Sequence, residues 1–217
     1  NRFGAANEIG VFEMREEGLA EVRNPSELFL AERETGISGA AVFAGMEGSR
    51  PLLVEIQALV GASAPGSPRR TVVGWDPSRL AMLLAVLDAR CGLAIGGRDV
   101  YLNVAGGLRI SEPAADLAVA AALISSLFET AVAPATVVFG EVGLAGEVRA
   151  VSQIDARLKE ATKLGFDCAI VPAAVGGRGH SRALRLSRLK RLSELVEMLG
   201  AGSAPERSDA AFAGGVA

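Results

Sequence analysis

Few residues of this chain could carry nucleophilic chemistry: a single histidine, His180, with Ser181 beside it in the loop "GGRGHSR", and the serine pair Ser125 and Ser126. A serine nucleophile needs a base within hydrogen-bond reach and a third group that orients the base. No carboxylate stands near His180 in the sequence, so a peptidase with a relocated nucleophile is kept only as an alternative. Asp116 is a candidate of another kind. It follows Glu112-Pro113 in "SEPAADLAVAAALISS", where proline suits the first helical position and a first-turn carboxylate satisfies backbone N–H groups and the helix dipole. A structural carboxylate at a helix start is expected there. Cys91 and Cys168 stand alone with no CxxC pair, so neither a disulfide framework nor a zinc site is indicated, and no metal cluster is visible. The glycine stretches "GGRG" and "GLAGEV" lack the Gly-to-Lys-Ser/Thr spacing of a P-loop.

The cations offer different chemistry. Arg69 and Arg70 end a Gly/Pro/Ser loop, Arg109 follows the "NVAGG" turn, and Lys159 with Lys163 share a helix face at i and i+4. Contacts to a phosphate backbone need charge rather than base-reading geometry, so these five are the candidate DNA-binding residues. The net charge of -3 gives no reason by itself to expect nucleic acid. Charge is unevenly spread, with glutamates crowding the front and arginines and lysines collecting from Arg149 onward. Trp75 and Tyr101 are the only residues of their kinds, so a base-stacking platform is not expected.

The elements that must position these side chains follow from pattern. Apolar residues make up 50% of 217, enough for a real core. Strands are predicted over 9–14, 19–22, 39–45, 52–60 and 71–74, short and punctuated by Gly, Pro, Asn or Ser. The stretch "WDPSRLAMLLAVLDARCG" predicts a helix with Asp76 as N-cap, Pro77 at the first position and Gly92 as the stop. The run 117–124 is apolar all round, which predicts a buried helix. Strands are expected at 100–104, 137–139, 148–151 and 168–171, and a helix over "SQIDARLKEATKLGF" with Ile154, Leu158, Ala161 and Leu164 inward. A last helix, capped by Ser193, runs to Leu199. Strands in front followed by mixed elements argue for α+β rather than a doubly wound sheet. One domain over 1–200 is expected, with a disordered tail over 201–217. No apolar stretch is long enough to span a membrane, and no signal peptide is seen, so a cytoplasmic location is expected. The chain opens on Asn1 rather than Met and is read as part of a longer protein.

Several stretches stand in order: "NRFG" (Asn1, Arg2, Phe3, Gly4), "NEIGVFEM", "NVAGG", "SEPAADLAVA" and "VFGEVGLAGEVRAV". Together they resemble the C-terminal part of the bacterial RadA (Sms) DNA repair family, beginning within its KNRFG motif. The resemblance implies a fold like the Lon proteolytic domain, of the ribosomal S5 domain 2 type, assembled as a homo-hexamer. In Lon-type proteases a serine opens the buried helix and a lysine one helix later takes its proton. The matching positions here are Ala114 and Asp155, so both halves of the dyad are replaced and acyl transfer by that route is excluded. The resemblance implies a non-catalytic scaffold and DNA-contacting domain, not itself an enzyme, of an ATP-dependent branch-migration helicase in recombination. The alternative is a purely structural hexamerisation module. DNA, RecA through the longer protein, and further copies of the chain are the implied partners. No cofactor is expected on this stretch, while ATP, Mg and Zn are expected in preceding parts of the parent, where Arg2 would couple the ring to the ATPase core.

Overall fold

The computed structural model describes residues 12–22, 24–31, 33–63, 66–175 and 184–201. The tail expected from 201 contributes only Ala201 to them, and Asn1, Arg2, Phe3, Gly4, His180 and Ser181 lie outside them.

A hairpin of β1 (Phe12–Arg15) and β2 (Gly18–Glu21) stands as its own two-stranded sheet, followed by a short helix, α1 (Pro25–Leu30). Next come β3 (Ala40–Glu47) and β4 (Arg50–Gly61), an antiparallel hairpin, then β5 (Arg70–Val73). The helix α2 (Pro77–Cys91) forms where its signals lie: Asp76 accepts the Ser78 and Arg79 N–H groups, Pro77 opens it, and Gly92 ends it at φ 71°. Strand β6 (Asp99–Val104) leads through a 3-10 turn at Ala105–Gly107 and a stretch without helix or strand to a second 3-10 turn at Pro113–Ala115. Pro113 therefore opens that turn, and the helix proper, α3 (Asp116–Leu127), begins three residues later than the proline suggests. Strands β7 (Thr136–Val138), β8 (Glu141–Val142) and β9 (Val148–Arg149), helix α4 (Ile154–Lys163), strands β10 (Cys168–Pro172) and β11 (Arg185–Leu189), and helix α5 (Leu192–Gly200) complete the described chain. The last helix is capped from Arg191, whose N–H donates to the Glu194 carboxylate at 3.1 Å, and not from Ser193.

The central sheet runs β11-β10-β7-β3-β4-β6-β5. Four of its joints are parallel, and the two joints made by β4 are antiparallel. The fold is therefore mixed α/β with a mostly parallel central sheet. Helices α2, α3 and α4 lie between strands that end up parallel, and such connections bring distant segments into one sheet. This is what a strands-first pattern understated. Helix α3 packs against β3 and β4, and every residue from Asp116 to Ser125 is buried. Its alanines leave room for that close approach. Among the described residues no helix is long and apolar enough to cross a membrane.

Candidate functional site

Ala114 lies buried in the 3-10 turn ahead of α3, and Asp155 is exposed in the first turn of α4. What surrounds the turn is an ion-pair frame rather than a nucleophile. Arg157, one turn along α4 from Ile154, is fully buried. Its Nε donates to the Ser152 carbonyl at 3.0 Å, its Nη1 to the Ala44 carbonyl at 2.7 Å and to Glu112 Oε2 at 3.2 Å, and its Nη2 to Glu112 Oε1. The guanidinium also sits 5.6 Å from the centre of the Phe139 ring. Glu112 in turn accepts the Met46 N–H at 3.0 Å. One planar cation thus joins α4, β3 and the residue before Pro113. Arg157 was not anticipated, although its position three residues after Ile154 and one before Leu158 places it on the buried stripe.

Asp116 has the structural role expected of it, but by a different contact. Its carboxylate takes no helix-start N–H; Oδ1 and Oδ2 accept from Arg79 Nε and Nη2, both at 2.6 Å, and Oδ2 accepts the Val142 N–H at 3.0 Å. The α3 start is satisfied otherwise, because the Ala115 N–H reaches Glu112 O, that of Asp116 reaches Pro113 O, and that of Leu117 reaches Gly140 O. Burial pushes the Asp116 carboxyl above its ordinary value, and the Arg79 and Val142 hydrogen bonds oppose that rise. The same pair raises Arg79, chiefly through the hydrogen bond to Asp116.

Both alternative serines are engaged by backbone. Ser125 Oγ accepts the Gly39 N–H at 2.9 Å and donates to the Thr130 carbonyl at 2.7 Å, while Ser126 Oγ accepts the Val60 N–H at 2.9 Å. They fasten the end of α3 to the strands.

The candidate cations are all exposed but differ in freedom. Arg70 Nη1 donates to the carbonyls of Arg69, at 2.9 Å, and Arg98, and its Nη2 donates to Gly96 at 2.5 Å, so this guanidinium ties its loop together. Arg69 is held by its main chain, whose N–H meets Asp99 Oδ1 at 2.9 Å; its side chain makes no hydrogen bond among the described residues, although its charge helps lower the Asp99 carboxyl. Arg109 is likewise unpartnered among them. Lys163 lies 3.9 Å from Glu160, and Lys159 projects from the same helix. Arg69 lies beside β5 at one edge of the sheet, whereas Lys159 and Lys163 lie on α4, which packs against the central strands β3 and β4. Among the described residues no cluster of His, Cys, Asp or Glu could hold a metal ion. The starts of α2 and α3 carry Asp76 and Asp116, and neither presents a phosphate with a free turn of N–H groups.

A mixed sheet over a buried alanine-rich helix, with an arginine frame about a turn that lacks a nucleophile, is the class of structure these contacts define. Residues 78–175 match the family described as Subunit ChlI of Mg-chelatase. The chain is similar to proteins named DNA repair protein RadA. That of Brucella abortus is 60% identical over 207 residues, 95% of this chain and 44% of the relative. That of Bacillus subtilis is 55% identical over 174 residues, 80% of this chain and 38% of the relative. That of Rickettsia felis is 50% identical over 196 residues, 90% and 44% respectively. The chain thus spans less than half the length of these relatives. The expectation that this stretch is not an enzyme is corrected by these matches, which point to a region of an ATPase. The P-loop spacing, and the residue types of Ala114 and Asp155, each bear on one local chemistry, too narrow to exclude the stretch from an enzyme.

Proposed function

We propose that this chain is the Lon-protease-like region, over 1–200, of a RadA-type DNA repair ATPase that drives branch migration in recombination. In this reading the region builds a homo-hexameric ring and offers cations to the DNA backbone. The observation that carries it is the 60% identity to DNA repair protein RadA along 95% of the chain. The exposed side chains of Arg69, Arg109, Lys159 and Lys163 supply the phosphate contacts, with Arg70 holding the loop that presents Arg69. Sixfold repetition turns a few such charges into a belt. Asn1, Arg2, Phe3 and Gly4 join this region to the nucleotide-driven core, where ATP, Mg and Zn are held, and RecA is a partner of the longer protein. The protein acts in the cytoplasm. The test is duplex binding across a salt series, with assembly followed by light scattering. Binding that weakens linearly in log salt, by a slope of roughly 0.9 per phosphate contact, supports the reading. An assembled ring without salt-dependent DNA binding would reduce the region to a hexamerisation module.

A further inference from the structure

A pocket of about 330 Å³ opens beside the Glu112 frame, floored by Phe43, Met46, Leu52 and Val54 of the β3–β4 hairpin and walled by Phe29 of α1 and Ile110. That volume is in the range of small-ligand sites, and its lining is mostly apolar. The stretch that borders it, Leu108 to Ser111, lies outside helix and strand, with extended backbone at its start, Leu108 (φ -70°, ψ 152°), and just past its end, Glu112 (φ -77°, ψ 127°). Only one N–H of this border is used for packing: that of Ile110 donates to the Gly74 carbonyl at 2.8 Å. The N–H groups of Arg109 and Ser111 have no partner among the described residues, nor does the Arg109 guanidinium at the mouth. An open main-chain edge beside an apolar pocket is the arrangement by which an extended peptide is held, the backbone giving affinity and the pocket selecting one side chain.

We propose that this pocket and the Arg109–Ser111 edge bind an extended segment of a partner protein, with a large apolar residue in the pocket and a carboxylate beside it facing Arg109. Nucleic acid fits less well. The apolar walls offer a base edge few polar partners, and Glu47, Arg50, Arg109 and Glu112 make the charge at the mouth mixed. Glu112 is matched by Arg157, and the exposed Arg109 has no ion-pair partner among the described residues. The site shares Arg109 with the DNA reading, but it adds a pocket and a main-chain edge that phosphate contacts do not need.

The experiment is an octapeptide array with each residue type fixed in turn at every position, probed with the purified chain. The selected peptide is then titrated by fluorescence anisotropy. The result expected is selection of Phe, Leu or Met next to Asp or Glu. Affinity should fall at least tenfold for Arg109→Glu, for Leu52→Trp, which fills the pocket, and for a peptide N-methylated at alternate amides. Arg109 is exposed, so its variant retains the fold, and unchanged melting of each variant is checked alongside. No positional selection, or selection that Arg109→Glu and N-methylation leave intact, overturns the proposal. So does a single-stranded oligonucleotide whose binding is lost in Leu52→Trp while no peptide binds.

Discussion

Arg79 in the first turn of α2 grips both carboxylate oxygens of Asp116 at 2.6 Å, although the two residues are 37 positions apart in the chain. With the Val142 N–H on the same carboxylate, three elements remote in sequence meet at one buried charge. Asp116→Ala leaves Arg79 and the Val142 N–H without their acceptor. Because Arg79 keeps some contact with solvent, the expected loss is about 3 kcal/mol, at the low end for breaking a buried pair. Urea denaturation measures it, and Asp116→Asn, which can still accept the Val142 N–H, should lose less.

Arg157 should be less replaceable than its place on a surface-like helix suggests. Its fork serves three separate acceptors, the carbonyls of Ser152 and Ala44 and the Glu112 carboxylate. A lysine is a point charge and cannot reach all three in that geometry. Arg157→Lys and Arg157→Met should each lower stability, by about 2 and about 4 kcal/mol, read from the denaturation midpoint at constant slope. If Arg157→Lys matched the parent, the planar fork would be irrelevant.

The neighbouring arginines at 69 and 70 should part company. Arg70→Ala removes the donors that bind the Arg98 and Gly96 carbonyls and should lower the melting temperature by a few degrees. Arg69→Ala should leave melting unchanged and instead flatten the salt dependence of duplex binding by about one phosphate contact. Equal effects of both on both measurements would contradict this division.

Acid should lower stability through two carboxyls that folding depresses. The Arg79 and Ser78 N–H groups hold the Asp76 carboxyl below its ordinary value, and the Arg69 N–H does the same for Asp99. A carboxyl depressed by folding binds its proton more readily in the unfolded chain. The stability it contributes is therefore complete above the ordinary carboxylate value and is lost as pH falls through the depressed one. Asp76→Asn keeps a good cap at neutral pH but removes its titration, so its stability should decline less steeply than the parent's in the acid range. Thermal melting at a series of pH values decides it.

Local signals were legible and long-range pairings were not. Asp76, Pro77 and Gly92 act within a few residues of themselves, and α2 appears where they place it. Helix α1 carries Pro25 and Glu27 in its first turn, the same kind of signal, but its six residues are too few to show a periodic face. That Asp116 would meet Arg79 rather than its own helix start depends on how α2 and α3 pack, which no spacing encodes. Glu55 is a similar case: buried in β4, it is ion-paired with Arg33 at 3.4 Å, and Arg33 also covers the Phe166 ring. Loop and helix-face placement pick out the exposed cations in the sequence, but only geometry separates Arg70, whose guanidinium ties its loop, from Arg69, whose side chain makes no hydrogen bond among the described residues.

The strand order has a consequence for synthesis. Hairpin β3–β4 occupies the middle of the sheet, yet its lateral partners, β6 and β7, lie downstream in the chain. As the polypeptide leaves the ribosome, the hairpin can close at once, but both its outer edges stay unpaired until residue 104 and then residue 138 have emerged. A nascent chain arrested between those points would display an apolar ribbon with an open flank, the kind of surface that holdase chaperones engage and that pairs wrongly with neighbours on a crowded polysome.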